Sequence, residues 1–200
     1  MKIQNISVES DGYAFCNSVF YSAHDLLTNN YTFSAGINKL HGDIDSGIWA
    51  ISYLLSMYNF CSKKFTLLEQ PKILINGSTV SLDKMAEISC YLDESFPLFS
   101  SKKTVRNLVI KGLRKSKLEY SPDEIRDMFK IMDFRFERPI SKTGNEKFKA
   151  MAAIGFSYGK ELFCFPWLSQ MRYHAFHNHM PDLLDILANN DKTVILPLGN

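Results

Sequence analysis

Residues 42–47 read Gly-Asp-Ile-Asp-Ser-Gly, the GxxxxG frame of a phosphate-binding loop. In such a loop the glycines let backbone N–H groups wrap a phosphate. A lysine directly after the frame meets the outer phosphates, and the hydroxyl that follows it holds Mg²⁺. Here those two positions are Ile48 and Trp49. Gly42, Ser46 and Gly47 keep the frame, whereas Asp43 and Asp45 bring negative charge to the place a polyphosphate would occupy. No lysine or arginine occurs between Lys39 and Lys63, so no shift of register supplies the missing cation. The spacing predicts the backbone of a phosphate loop without its chemistry. The lost lysine contact alone forfeits about 1.5–3 kcal/mol.

Three of the five histidines gather at His174, His177 and His179. Imidazoles three residues apart share a helix face and can be metal ligands. Only Asp182 lies near enough to complete a set, and Tyr173 and Phe176 point to packing, so no metal is expected there. A titratable contact surface is the alternative use of these side chains. Lys102, Lys103, Arg106, Lys111, Arg114, Lys115 and Lys117 form a basic run without an acid inside it. It lacks the interleaved aromatics of a single-strand nucleic-acid binder, so a solvated helix face is its expected role. Cys16, Cys61, Cys90 and Cys164 stand far apart, as buried free thiols do. No GxSxG elbow marks a serine nucleophile.

Positioning such a loop requires a strand before it and a helix after it. Ile3, Ile6 and Val8 predict a first strand, residues 15–21 are rich in β-forming types, and Tyr31–Ser34 predict another strand. Residues 36–40 lead into the glycine frame, and residues 46–57 predict an apolar, buried helix. Asn76-Gly77 between two short β-runs predicts a hairpin. Ile88 to Leu92 reads as a buried strand. From Pro97 to Gly159 the pattern is helical. Thr104 caps one helix, and Ser121-Pro122-Asp123-Glu124 opens a second whose apolar face holds Ile125, Met128, Phe129 and Met132. A third helix is expected over 146–157. A short strand at 162–165, a helix at 181–188 and a strand at 193–196 close the pattern. The 200 residues, 46% hydrophobic and 22% charged with net charge +2, suit one α/β unit and give no global sign of nucleic-acid binding. The polar start carries no signal-peptide pattern, and no apolar run reaches spanning length.

The order and spacing of these segments resemble the nucleotide-binding domain of ABC transporters over essentially the whole chain. Residues 33–58 resemble its Walker A region, and residues 88–94 the strand into its Q-loop. Thr104-Val105-Arg106-Asn107-Leu108 is similar to a frequent helix start in that family. Ile140-Ser141-Lys142-Thr143-Gly144-Asn145 falls where the signature segment would lie, with Ser141, Lys142 and Gly144 in place of its motif. Residues 162–167 fall at Walker B, and residues 192–196 resemble the strand before the switch histidine.

The resemblance implies a P-loop NTPase-like α/β core of the ABC ATPase type. An N-terminal antiparallel β-subdomain would accompany the core (1–96 and 160–200), with a helical subdomain inserted at 97–159. It places Tyr13 where the family stacks an adenine. Asp93 or Glu94 stands for the Q-loop glutamine, and Pro166 and Trp167 stand for the Walker B carboxylates. No Asp or Glu occurs between Glu161 and Asp182, and Gly199 falls near the switch position, where the chain ends without the family's usual C-terminal helices. Every departure removes catalytic equipment. The resemblance therefore implies a non-catalytic subunit, with no cofactor, or ATP and Mg²⁺ held only weakly. Its partner would be a membrane permease or a second nucleotide-binding subunit, or it would form a homodimer. Nucleic acid is not an expected partner. The place implied is the cytoplasm, peripheral on the inner face of the membrane, with the basic run toward it. A regulatory or scaffold protein that retains the fold is the alternative, and a divergent active NTPase a further one.

Overall fold

In the computed structural model, residues 2–9, 30–43, 48–57, 71–99, 102–176 and 178–199 are described. The segment at 15–21, Tyr13, Cys16, Cys61, Asp45, Ser46, Gly47 and His177 lie outside them. Among the described residues two four-stranded sheets are present.

The first sheet is antiparallel, in the order β2-β1-β4-β5. It is built from β1 (Asn5–Glu9), β2 (Tyr31–Ser34), β4 (Lys72–Ile75) and β5 (Ser78–Val80). In β1 the alternation buries Ile6 and Val8 and leaves Asn5 and Glu9 outside. Ile6 stands opposite Phe33 and Ile75, and Val8 opposite Ile73, so the apolar side chains of β1, β2 and β4 gather on one face of the sheet. The hairpin turn holds Asn76 at φ 51° and Gly77 at φ 79°, the pair of positive angles a two-residue turn of this twist needs. The Asn76 carboxamide also ties the turn to the chain start. It accepts from the Gln4 N–H at 2.8 Å and donates to the Lys2 carbonyl at 2.9 Å.

The second sheet is parallel, in the order β3-β8-β7-β6. Its strands are β3 (Ile37–His41), β6 (Ser89–Tyr91), β7 (Leu162–Cys164) and β8 (Thr193–Leu198). β6, β7 and β8 are buried at every residue, as strands of a parallel sheet covered on both faces are. Helix α1 (Ile48–Met57) packs on β6, β7 and β8, and α8 (Met180–Asn189) packs on β8. Between β6 and β7 the chain forms α3 (Val105–Ser116), α4 (Pro122–Met128), α5 (Asp133–Phe136) and α6 (Lys147–Ser157). A short α7 (Gln170–Ala175) follows β7.

Both predicted caps are present. The Thr104 hydroxyl accepts from the Asn107 N–H at 3.2 Å, and Ser121 with Glu124 closes a reciprocal capping box. Three expectations change. Ile88 belongs not to a strand but to α2 (Leu82–Ile88), which Ser81 caps and which runs directly into β6. Residues 37–41 are a full strand of the parallel sheet rather than a lead-in. Met132 is 53% exposed, because α4 ends at Met128 and the chain turns at Lys130, where φ is 50°. Ile125 and Phe129 alone keep the buried face of that helix.

Candidate functional site

The carboxyl ends of the parallel strands β3, β7 and β8 converge at Gly42, Trp167 and Gly199. Gly42 leaves β3 buried, and its N–H donates to the Leu198 carbonyl at 3.0 Å. Beyond β7 the chain stays beside β8, because the Leu168 N–H donates to the Pro197 carbonyl at 3.0 Å and the Gly199 N–H to the Leu168 carbonyl at 2.8 Å. That course carries the half-buried Pro166 and Trp167 onto the start of the glycine loop. The Trp167 indole Nε1–H donates to the Gly42 carbonyl at 3.0 Å. Its six-membered ring lies so close to Gly199 that a β-carbon there would stand 2.9 Å from Cζ2. A ring thus fills the angle between the strand ends. It is held by one hydrogen bond that consumes the carbonyl of the loop's first glycine.

The loop's other described residues bring no cation and no metal-binding hydroxyl to the site. Asp43 is exposed. Ile48 is buried at the start of α1. Trp49 meets Tyr53 edge-on at 6.3 Å, and Tyr53 meets Tyr91 of β6 at 5.5 Å, so the position expected to carry a metal-binding hydroxyl begins an aromatic stack instead.

The remaining candidates are dispersed. Asp93 turns back on its own segment and accepts from the Ser95 N–H at 2.9 Å and hydroxyl at 2.7 Å. Glu94 is paired with Lys147 at the start of α6. Ser141 and Lys142 are exposed in a 3-10 turn at Ile140–Lys142, and Gly144, at φ 60°, begins a second at Gly144–Glu146. His174 lies in α7 on one cleft. His179 lies before α8 among Asn145, Phe148 and Lys149. The pair whose spacing suggested a shared helix face, His174 and His177, is not placed, because His177 lies outside the described residues. Among the described residues no group of three His, Cys, Asp or Glu side chains could hold a metal. Cys90 and Cys164 are buried free thiols, and burial pushes the Cys90 thiol up to about 12 and the Cys164 thiol higher still.

Sequence reasoning missed a charged network beside the signature-like turns. Glu146, 2% exposed, pairs with Arg135 at 3.3 Å and accepts from the Met132 N–H at 3.1 Å. The buried Lys149 reaches Asp182 at 3.4 Å, and Lys130 reaches the same carboxylate at 3.1 Å. Asn145 bonds Arg135 through its oxygen and stands 2.7 Å from the His179 Nε2 through its nitrogen. With Oδ1 on the guanidinium, Nδ2 is the donor and a neutral imidazole the acceptor. Burial foremost, then Lys149, holds the His179 imidazole below its ordinary range. Arg135 acts the same way, and Glu146 and Asp182 pull against them.

The fold therefore prefers neutral His179, and the unfolded chain takes up the proton first as pH falls. This contribution to stability is full above about pH 6.5, the ordinary imidazole value, and declines as pH drops through it. Thermal unfolding followed from pH 7.5 to 5.5 should show a falling midpoint. His179→Gln, which keeps an acceptor for Asn145, should flatten that slope.

The sequence also did not announce a cleft of about 720 Å³ beside the helical segment. Phe96, Pro97, Leu98 and Tyr158 form its apolar side, and Lys111, Lys115 and Lys160 stand on its wall together with Asp83 and Glu87. Lys160 donates to the Ala86 and Glu87 carbonyls at 3.0 and 2.6 Å, and burial holds its amine below the usual range. Arg106, from the same basic run, is bound to Asp123 at 2.9 Å and is not part of a free cationic face.

No family model matches this sequence, and no curated protein matches it. Solved structures do match its fold. A putative ABC transporter ATP-binding protein from Pyrococcus furiosus superposes with a TM-score of 0.64 at 14% identity, over 97% of this chain and 90% of that one. A bacterial Atm1-family ABC exporter with ATP bound gives 0.69 at 13% identity, over 99% of this chain but 35% of the exporter. A dimeric ATP-binding cassette in a post-hydrolysis state, bound to ADP and Pi, gives 0.62 at 13% identity, over 98% and 88%. The chain has the mixed α/β fold of an ABC transporter ATP-binding domain. Among the described residues no helix is long and apolar enough to cross a membrane.

Proposed function

We propose that this chain is a non-catalytic subunit of ABC type, working beside a membrane permease or a second nucleotide-binding subunit. One observation carries the reading. The Trp167 indole occupies the junction of Gly42 and Gly199, where a phosphoryl-transfer site of this fold needs carboxylate, metal and water. Ile48 and Trp49 complete the loss, because neither side chain can neutralise phosphate charge or bind Mg²⁺. Tyr13, Asp45, Ser46 and Gly47 belong to the same reading as remnants of a nucleotide loop. The cleft beside α3, with one apolar side and a charged wall, supports a docking role, as does the dimeric and exporter-borne setting of the structural neighbours. A cytoplasmic place at the inner face of the membrane follows from that role.

Two measurements on the full chain test the proposal. Titration calorimetry with MgATP is expected to show no saturable heat at millimolar nucleotide. A phosphate-release assay is expected to give no turnover above buffer. Mg²⁺-dependent turnover that survives repurification and disappears in a Trp167 variant would overturn the reading.

A further inference from the structure

A second cleft, of about 360 Å³, opens at the outer side of the parallel sheet. Lys39 and His41 reach it from β3, Gln170, Tyr173 and His174 from α7, and Leu168, Leu198 and Gly199 form its base. Lys39 and His41 are two residues apart on one strand and so project from the same face. His174 meets the Tyr173 ring edge-on at 6.3 Å, which fixes the two as one wall. The described lining contains a lysine, two imidazoles, an amide and a phenol, and no carboxylate. Among the described residues neither Lys39 nor His41 is engaged in an ion pair or a side-chain hydrogen bond. The cleft shares no lining residue with the 42–49 loop or with Trp167. It lies at the carboxyl ends of β3 and β8, the end of an open parallel sheet where ligands collect.

We propose that this cleft binds a phosphate-class oxyanion, either free inorganic phosphate or a small phosphomonoester. Lys39 supplies a fixed positive charge. His41 and His174 supply ring N–H donors from opposite walls, and Gln170 adds a neutral donor at the rim. A lysine on an outer strand also discourages edge-to-edge pairing, but that role does not call for imidazoles and an amide around the same hollow. Leu168, Leu198 and the Tyr173 ring give an organic ester an apolar surface to rest on, which inorganic phosphate does not use. The proposal stands apart from the silent-subunit reading, because the two sites meet only at Gly199 and none of Lys39, His41, Gln170 and His174 belongs to the glycine loop or its indole plug.

The test is amide and imidazole chemical-shift mapping of the full chain. The probes are inorganic phosphate, phenyl phosphate and, as a control for ionic strength, chloride. Saturable shifts centred on Lys39, His41, Gln170 and His174 are expected with phosphate and absent with chloride. Tighter binding of phenyl phosphate identifies an ester as the ligand source, and equal binding identifies the free anion. Lys39→Gln and His174→Gln should each weaken binding by about tenfold, the effect of losing one charge-assisted contact of about 1.4 kcal/mol. Lys102→Gln, an exposed change on the helical segment, should leave it unaltered. All three substitutions are on the surface, and circular dichroism confirms that each variant is folded. Linear, unsaturating shifts, or equal weakening in Lys102→Gln, overturn the proposal.

Discussion

Gly155→Leu is expected to destabilise the protein by about 3 kcal/mol, read as a lower urea midpoint at unchanged slope. Gly155 lies where α6 crosses β6 and β7 of the parallel sheet. A β-carbon there would stand 2.7 Å from the Cys90 sulfur, 3.2 Å from the Cys90 Cβ and 3.0 Å from a Phe163 ring carbon. Cys90 and Phe163 face each other across β6 and β7, and both are fully buried. Neither neighbour can swing away, because each is fully buried and the two strands pair at these residues. Removing a glycine from a helix interior ordinarily gains about 1 kcal/mol, which the clash exceeds. Gly112 does the same for α3 against α6, where an added β-carbon would meet the Ser157 main-chain carbon at 2.9 Å. The two glycines thus set how closely the helical segment sits on the sheet. A Gly155→Ala and Cys90→Ala cycle should return a coupling of about 1 kcal/mol. Wild-type stability in Gly155→Leu would mean that α6 does not approach the sheet this closely.

Local signals in the sequence locate the elements, and distant contacts decide what the elements do. The caps at Thr104 and Ser121 and the Asn76-Gly77 turn are legible because each is settled within four residues. Strand β3 is missed because INKLH carries the half-polar pattern of an outer strand, with Ile37 38% exposed. Helix α2 is missed because its last residue, Ile88, continues without a turn into an apolar strand. At the site, the absence of a lysine after the glycine frame and of acids around Trp167 is plain in the residues. The indole's bond to the Gly42 carbonyl is not, since 125 residues separate the partners. The three-residue histidine spacing belongs to His174 and His177, and His177 lies outside the described residues; His179 faces other neighbours than His174 because α7 ends at Ala175. Buried charge is the least legible feature. Nothing within one turn of Lys149 foretells that Asp182 will meet it from another helix.

Glu146→Ala is expected to cost about 3 kcal/mol and to loosen the signature-like turns before the rest of the protein. The carboxylate does two things from a site that is 2% exposed. Its Oε1 faces the Arg135 guanidinium at 3.3 Å, and its Oε2 satisfies the Met132 N–H at 3.1 Å. Alanine strands a partly buried cation and leaves a backbone donor without an acceptor, and the cost of an unmet partner exceeds the net value of the bond it replaces. Arg135 is also the group that fixes the Asn145 oxygen, so its release frees the Asn145 nitrogen from His179. The substitution should therefore move the His179 resonances as well as the unfolding midpoint, and amide exchange should rise first over residues 140–146. Glu146→Gln keeps an oxygen for the Met132 N–H and loses only the charge facing Arg135. Its cost should be about 1 kcal/mol, with residues 140–146 still protected. Equal losses in the two variants would assign the whole effect to the ion pair and leave the backbone bond without weight.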